Sequence, residues 1–422
     1  MNFPLLGKDI YWYGVQAQSL LETGRVHSPD SSPVFYIVAA VFSLNGINEF
    51  SLFVFQGLTS LWTFFSLIFV LRISRKEKIL IRTISLISIP GILISFLYPK
   101  QAWALGFLGI SLSYLSPMKI HSVRTWVGWI FLFLSFWFHG FVGVLGSGIL
   151  IVSQIPQRFR WIPGFCLYSL LLLFPIENER ISLSTDYLPL FSAYSLLGLP
   201  ILLEWMIHIF SETHPSLIVS SLRFFGIALL LPIFPFSEIQ FRILISIFYL
   251  GTFFRLSTLK NSLLSLLVSL IWIVSFQDKY PSLRYPYEGM YNPAIKISQI
   301  PDNGLLIARH GFCEFYHFHH KKDCLSFAPD EIALSELEEG KSIYRLVSGF
   351  PGDGFLNTVN RKGKKIFPTS VSLGNYYLVK NSDWETYLLH LESIRSPLLK
   401  IAKSVSNPYK ERPEFLRKKH RK

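Results

Sequence analysis

Long apolar runs separated by short polar clusters dominate residues 34–277, and a mixed, ordinary sequence follows from 278 to 422. A hydrocarbon layer about 30 Å thick needs about 20 residues of helix to cross it. Backbone groups inside that layer must bond within their own segment, so helix is the conformation these runs predict. About ten spans are expected, near 50–71, 83–98, 101–117, 125–138, 140–155, 161–176, 188–210, 216–235, 238–255 and 261–277. Pro90 and Pro232 fall inside them and are tolerated where neighbouring helices satisfy the freed carbonyls. The run 34–47 is short for a span and suits a helix lying flat in the interface.

The pattern changes after 278. Residues 304–309 (GLLIAR) and 376–380 (YYLVK) read as short buried strands, 311–320 as a helix, and 324–327 as a further strand. Strand, helix and strand at this spacing predict a small α/β layer. Ser382 with Glu385 three residues on has capping-box spacing and predicts a helix start. The expected fold class is a polytopic α-helical membrane protein with an interfacial juxtamembrane helix and a small C-terminal α/β domain. Its expected divisions are a first extracytoplasmic loop at 1–48, a membrane domain at 49–277 and a soluble extracytoplasmic domain at 278–422.

Composition supports this division. Only 16% of residues are charged, against about 25% in an ordinary soluble domain, so something other than water solvates much of the surface. The net charge of +13 does not mark a nucleic-acid binder. The basic residues sit in short clusters between apolar runs and in the tail Arg417–Lys422, as in cytoplasmic loops or a solvated end. Arg72, Arg75, Lys76, Lys78 and Arg82, then Lys119 and Arg124, Arg158 and Arg160, and Arg255 and Lys260 fall on one side if spans alternate. The positive-inside tendency makes that side the cytoplasm and places the C-terminal domain outside. Charge counting leaves both sides open for residues 1–33; the shortness of 34–47 favours the outside.

Three cysteines make no disulfide framework. Cys313 and Cys324 pair in an oxidising compartment or stand as two free thiols. They belong to a His/Cys cluster with His310, His317, His319 and His320, whose spacing fits no zinc motif and whose interleaved Phe312, Phe315, Tyr316 and Phe318 suggest packing. No cofactor is expected, a divalent metal is not indicated, and no Walker loop, dinucleotide fingerprint or nucleophile elbow occurs.

The most informative stretch opens the chain. Asp9, Tyr13, Ala17, Leu21, Gly24 and Pro33 through Tyr36 form an acidic residue, an aromatic-rich helix, a Gly-ended turn and a Ser/Pro loop entering an apolar helix. In order and type this resembles the first extracytoplasmic loop of the C-type (GT-C) glycosyltransferase superfamily, which includes protein mannosyltransferases and aminoarabinose transferases. The resemblance covers residues 7–75, and beyond them only the architecture of many spans and an outer domain. It implies that Asp9 is the general base of an inverting sugar transfer from a polyprenyl-phosphate donor to a hydroxyl on a glycan, lipid or protein acceptor, at the outer face of the plasma (inner) membrane. A carboxylate within hydrogen-bond reach takes the proton of a hydroxyl as it attacks. Residue by residue, Asp9 also suits a plain helix N-cap.

Two departures stand out. Many relatives carry a second acid where this chain has Ile10, and relatives carry a transmembrane helix before the loop. The expectation is that a first helix precedes the sequence given.

A leaving phosphate wants cations or helix N-termini beside it. Lys100, with Gln101, and His139 lie at outer ends of spans and are the candidate phosphate contacts. Tyr13 and Arg242 complete the candidate substrate-binding set. The competing assignment for Lys100 is snorkelling, and for His139 capping. Two other readings remain: a transporter or flippase of lipid-linked glycans, for which Glu204 and His208 are the intramembrane candidates, and a non-catalytic scaffold.

Overall fold

The structure is a computed structural model that describes residues 5, 9–27, 30–73, 95–115, 123–155, 159, 246, 250, 304–308, 312–322, 324–325, 342–348, 371–372 and 376–383. The chain divides into two compact units, Met1–Phe3 with Ser28–Tyr280, and Pro4–His27 with Pro281–Lys422. The stretch 1–48 is thus shared between them.

The described part of the first unit is helical. It comprises α2 (Val34–Asn45), α3 (Glu49–Ile73), α4 (Pro99–Leu115), α5 (Val123–Phe138) and α6 (Gly140–Gln154); α1 belongs to the second unit. The apolar periodicity places α3 to α6 within two residues of the expected spans. Of the run 83–98 only 95–98 are described, with 95–97 as helix, and the spans expected at 161–176, 188–210, 216–235 and 261–277 lie outside the described residues, as does most of 238–255. Among the described residues one helix is long and apolar enough to cross a membrane, over Glu49–Val70. At 1.5 Å per residue the 12 residues of α2 reach only about 18 Å, too short to cross.

Burial in this unit is inverted relative to a water-soluble bundle. On α3 the buried positions include Gln56, Thr59, Thr63 and Ser66, while Leu58, Leu61, Phe65 and Phe69 are exposed one helical turn apart. On α5, Gly128, Leu132 and Ser135 are buried, whereas Trp126 is 70% and Phe133 65% exposed. Small and polar residues inside, large apolar residues outside, is the solution that lipid favours. Helices there associate by close packing and hydrogen bonds rather than by hiding apolar surface.

The inward polar groups join the helices. Trp62 donates its indole N–H to the Trp103 carbonyl at 3.1 Å, and Trp103 donates its own to the Thr59 hydroxyl at 3.1 Å. The two indoles stack at 4.8 Å. Gln56 donates to the Phe96 carbonyl at 2.9 Å, and Ser111 of α4 donates to the Gly128 carbonyl of α5 at 2.9 Å. The α4–α5 contact requires glycine at 128, because a Cβ there would lie 2.7 Å from Cγ of Leu115.

The described part of the second unit carries α1 (Ile10–Thr23), α7 (Phe312–His320) and a five-stranded mixed sheet. Its strands are β1 (Gly304–Ile307), β2 (Cys324–Leu325), β3 (Ser342–Ser348), β4 (Val371–Ser372) and β5 (Tyr376–Lys380), in the order β2-β1-β3-β5-β4. β1 pairs in parallel with β2 and β3, and β5 runs antiparallel to β3 and β4. β1 is buried along its whole length, as a strand paired on both edges and covered on its faces must be. Leu305, Ile307 and Ile343 form its core with Leu325 against them. The expected strand–helix–strand layer is therefore present as β1, α7 and β2, and residues 326–327 of the expected second strand lie outside the described residues. β3 and β4 were not anticipated. Asn381–Asp383 form a 3-10 turn; Glu385, the other half of the expected capping box, lies outside the described residues.

Cys313 on α7 and Cys324 on β2 are disulfide-bonded, with Cα atoms 5.4 Å apart. Of the two alternatives left by the sequence, the structure takes the paired one. Closing this short loop is worth about 3 kcal/mol through the unfolded chain. A thermal melt of the full chain should therefore show the second unit unfolding at lower temperature under dithiothreitol. The Cys313→Ser/Cys324→Ser variant should already melt there and ignore the reductant.

Candidate functional site

α1 begins at Asp9 and ends at Gly24, whose φ of 73° is the left-handed conformation that glycine supplies most cheaply after a helix. Asp9 occupies the N-cap position and its carbonyl accepts the Tyr13 amide at 3.2 Å. Its side chain makes no capping hydrogen bond and is half-buried, so the carboxylate is not committed to holding the first turn. That removes the main content of the N-cap alternative while leaving Asp9 at that position.

Residues 10–18 of α1 are almost wholly buried, because the helix docks on α7 of the same unit. Tyr11 is the centre of that contact. Its ring meets Phe315 edge-on at 4.8 Å, Phe318 at 5.5 Å and His319 at 5.5 Å. Tyr13 is buried beside Trp12, with ring centroids 5.1 Å apart. Further along, Lys321 bonds Glu22 at 3.1 Å and the rings of His27 and His317 lie 4.9 Å apart. Nothing local in the sequence announces these pairings.

Hydrogen bonds from Gln18 and then Lys321 hold the Glu22 carboxyl below its ordinary pKa. A carboxylate lowered in the folded state stabilises the fold at neutral pH. That contribution fades as acid takes it through the lowered pKa, below the ordinary carboxylate range. Because Glu22 is 46% exposed, the effect is screened and should stay under about 1 kcal/mol. Glu22→Gln should lower the melting temperature slightly at pH 7 and not at pH 3.

Several members of the His/Cys cluster have partners within the protein. Its two cysteines form the disulfide, His317 Nδ1 bonds the Lys322 carbonyl oxygen at 3.0 Å, and His319 packs on Tyr11 and Phe315. Among the described residues no three metal-binding side chains converge; His310 lies outside them.

In the first unit, the loop before α2 bonds to Lys100 and to the residue preceding His139. Lys100, the second residue of α4, forms an ion pair with Asp30 at 2.6 Å, the two side chains being 21% and 23% exposed. The other oxygen of Asp30 accepts the Ser32 amide at 2.9 Å. The Ser32 hydroxyl donates to the Phe138 carbonyl at 2.8 Å, immediately before His139. Residues 30–32 thereby tie the start of α4 to the α5–α6 junction. His139 stands at the N-cap of α6 in extended conformation without a side-chain capping bond, and its carbonyl accepts the Val142 and Gly143 amides. Gln101 is buried and donates to the Ser246 hydroxyl at 2.7 Å, an anchoring role. Arg242 lies outside the described residues. Asp30 is the residue that the sequence reading missed. Its available signal was an Asp two residues before Ser32 in a Ser/Pro loop, the spacing of an Asx turn.

No protein-family model matches the chain, and no curated protein sequence matches it. Two solved structures do, both crystal structures of ArnT from Cupriavidus metallidurans, one apo and one bound to undecaprenyl phosphate. Each is 13% identical, with TM-scores of 0.55 and 0.56, over 89% of this chain and 94% of theirs. At this identity the likeness establishes the fold alone, which is that of the two ArnT structures.

Proposed function

From that shared fold we propose that the chain is a membrane glycosyltransferase using a polyprenyl-phosphate-linked sugar, with Asp9 as its general base. The observation that carries the reading is the likeness of nearly the whole chain to a structure holding undecaprenyl phosphate, taken with an Asp9 carboxylate that is not spent on capping. The acceptor hydroxyl oxygen attacks the anomeric carbon of the donor sugar. The bond from that carbon to the phosphate oxygen breaks, polyprenyl phosphate leaves, and the hydroxyl proton passes to Asp9, inverting the anomeric configuration. Lys100 meets the phosphate charge, and His139 of the same unit is the second candidate for that contact.

The inverted burial of α3 and α5 supports a lipid environment, and the Cys313–Cys324 disulfide supports an extracytoplasmic second unit at the plasma membrane. The acceptor is a hydroxyl of a glycan, a lipid or a protein. Transfer of radiolabelled sugar from a synthetic polyprenyl-phosphate donor by the purified chain in lipid nanodiscs tests the reading. Wild type should transfer and Asp9→Asn should not. No transfer by the wild type would leave the scaffold or flippase reading in its place, and equal transfer by both would remove Asp9 as the base.

A further inference from the structure

Donor and product differ in charge. A polyprenyl-phosphate sugar is a phosphodiester with one negative charge, whereas the polyprenyl phosphate left behind is a monoester carrying between one and two at neutral pH. A lysine alone binds the product more tightly than the donor, which would stall turnover. Lys100 is not alone: Asp30 holds it at 2.6 Å in a mostly buried pair, and is itself fixed by the Ser32 amide.

We infer that Asp30 is a specificity-determining residue that makes the Lys100 phosphate site prefer a diester over a monoester. This rests on the reading of Lys100 as the phosphate contact. The carboxylate competes with any anion for Lys100, and in a partly buried site it repels a second negative charge far more than water would allow. A diester brings one charge and tolerates the carboxylate. A monoester approaches with nearly two and is pushed out, which favours product release. The bond from Ser32 to the Phe138 carbonyl fixes the loop against the α5–α6 junction, so the carboxylate cannot simply swing away.

The test is a binding measurement on the full chain in detergent, in the Asp9→Asn background so that no transfer intervenes. The probes are undecaprenyl phosphate, its methyl ester and inorganic phosphate. In the otherwise unaltered chain the methyl ester should bind as tightly as the monoester or more tightly. Asp30→Asn, which keeps an oxygen for the Ser32 amide, should tighten the monoester roughly tenfold and the methyl ester about threefold or less, reversing the preference. Asp30→Glu should restore the original order. An unaltered Asp30 chain that prefers the monoester overturns the inference without any Asp30 variant, and equal effects of Asp30→Asn on both lipids overturn it as well. Inorganic phosphate at equal concentration should not displace the lipids; displacement would reassign the site to free phosphate. Lys100→Gln should abolish binding of both lipids, and if it does not, the phosphate role of Lys100 is what fails.

Discussion

Sugar transfer in the Asp9→Asn chain is expected to fall by about three orders of magnitude, within the range of 10²–10⁴ that a positioned general base contributes. Asparagine keeps the shape of the side chain and can still serve as an N-cap, so α1 should start at the same residue. Because the Asp9 side chain makes no capping hydrogen bond, the substitution should leave the start of α1 in place. That pairing of results is the informative one. A residue serving only to cap would be replaced by asparagine with little loss of either stability or activity. The loss should appear in kcat with little change in donor KM, since the proton is taken as attack develops. Full activity in the Asn chain would remove Asp9 from the mechanism.

The second large effect concerns a residue that touches neither sugar nor phosphate in the proposed chemistry. Tyr11 is fully buried, two residues after Asp9, against Phe315, Phe318 and His319 of α7. Truncating a buried aromatic to alanine costs about 3–5 kcal/mol in lost transfer energy and cavity, and paired rings add about 0.5–1.5 kcal/mol more. Tyr11→Ala should therefore loosen α1 from the second unit and deprive Asp9 of a fixed position. Transfer should collapse while the base itself is intact. Tyr11→Phe keeps the ring and should recover most of the activity. Hydrogen exchange separates this from global unfolding: amides of α1 should lose protection in Tyr11→Ala, whereas those of β1 and β3 should keep theirs. Unchanged α1 protection with unchanged activity would show that this contact positions nothing.

What the sequence by itself determined are the features that depend on near neighbours. Apolar runs set α3 to α6 to within two residues, because a span is defined by its own length and hydropathy. Gly24 ends α1 because only the local φ matters there. The short runs at 304–309 and 376–380 read as strands for the same reason, while β3 escaped because Ser342-Ile343-Tyr344-Arg345-Leu346-Val347-Ser348 lacks clean alternation and has Arg345 buried within it, bonded to Asn381. Only the tertiary structure decided which segments meet. Glu22 pairs with a lysine 299 residues away, Lys100 with an aspartate 70 residues earlier, and the opening helix folds with the C-terminal sheet domain rather than with the spans that follow it. Such contacts depend on shape and charge converging from distant stretches, and periodicity along one stretch holds no information about its partner. Asp9 could be singled out from its neighbours in sequence. The buried ring of Tyr11 and the carboxylate of Asp30 acquired their proposed roles only when the chain had folded.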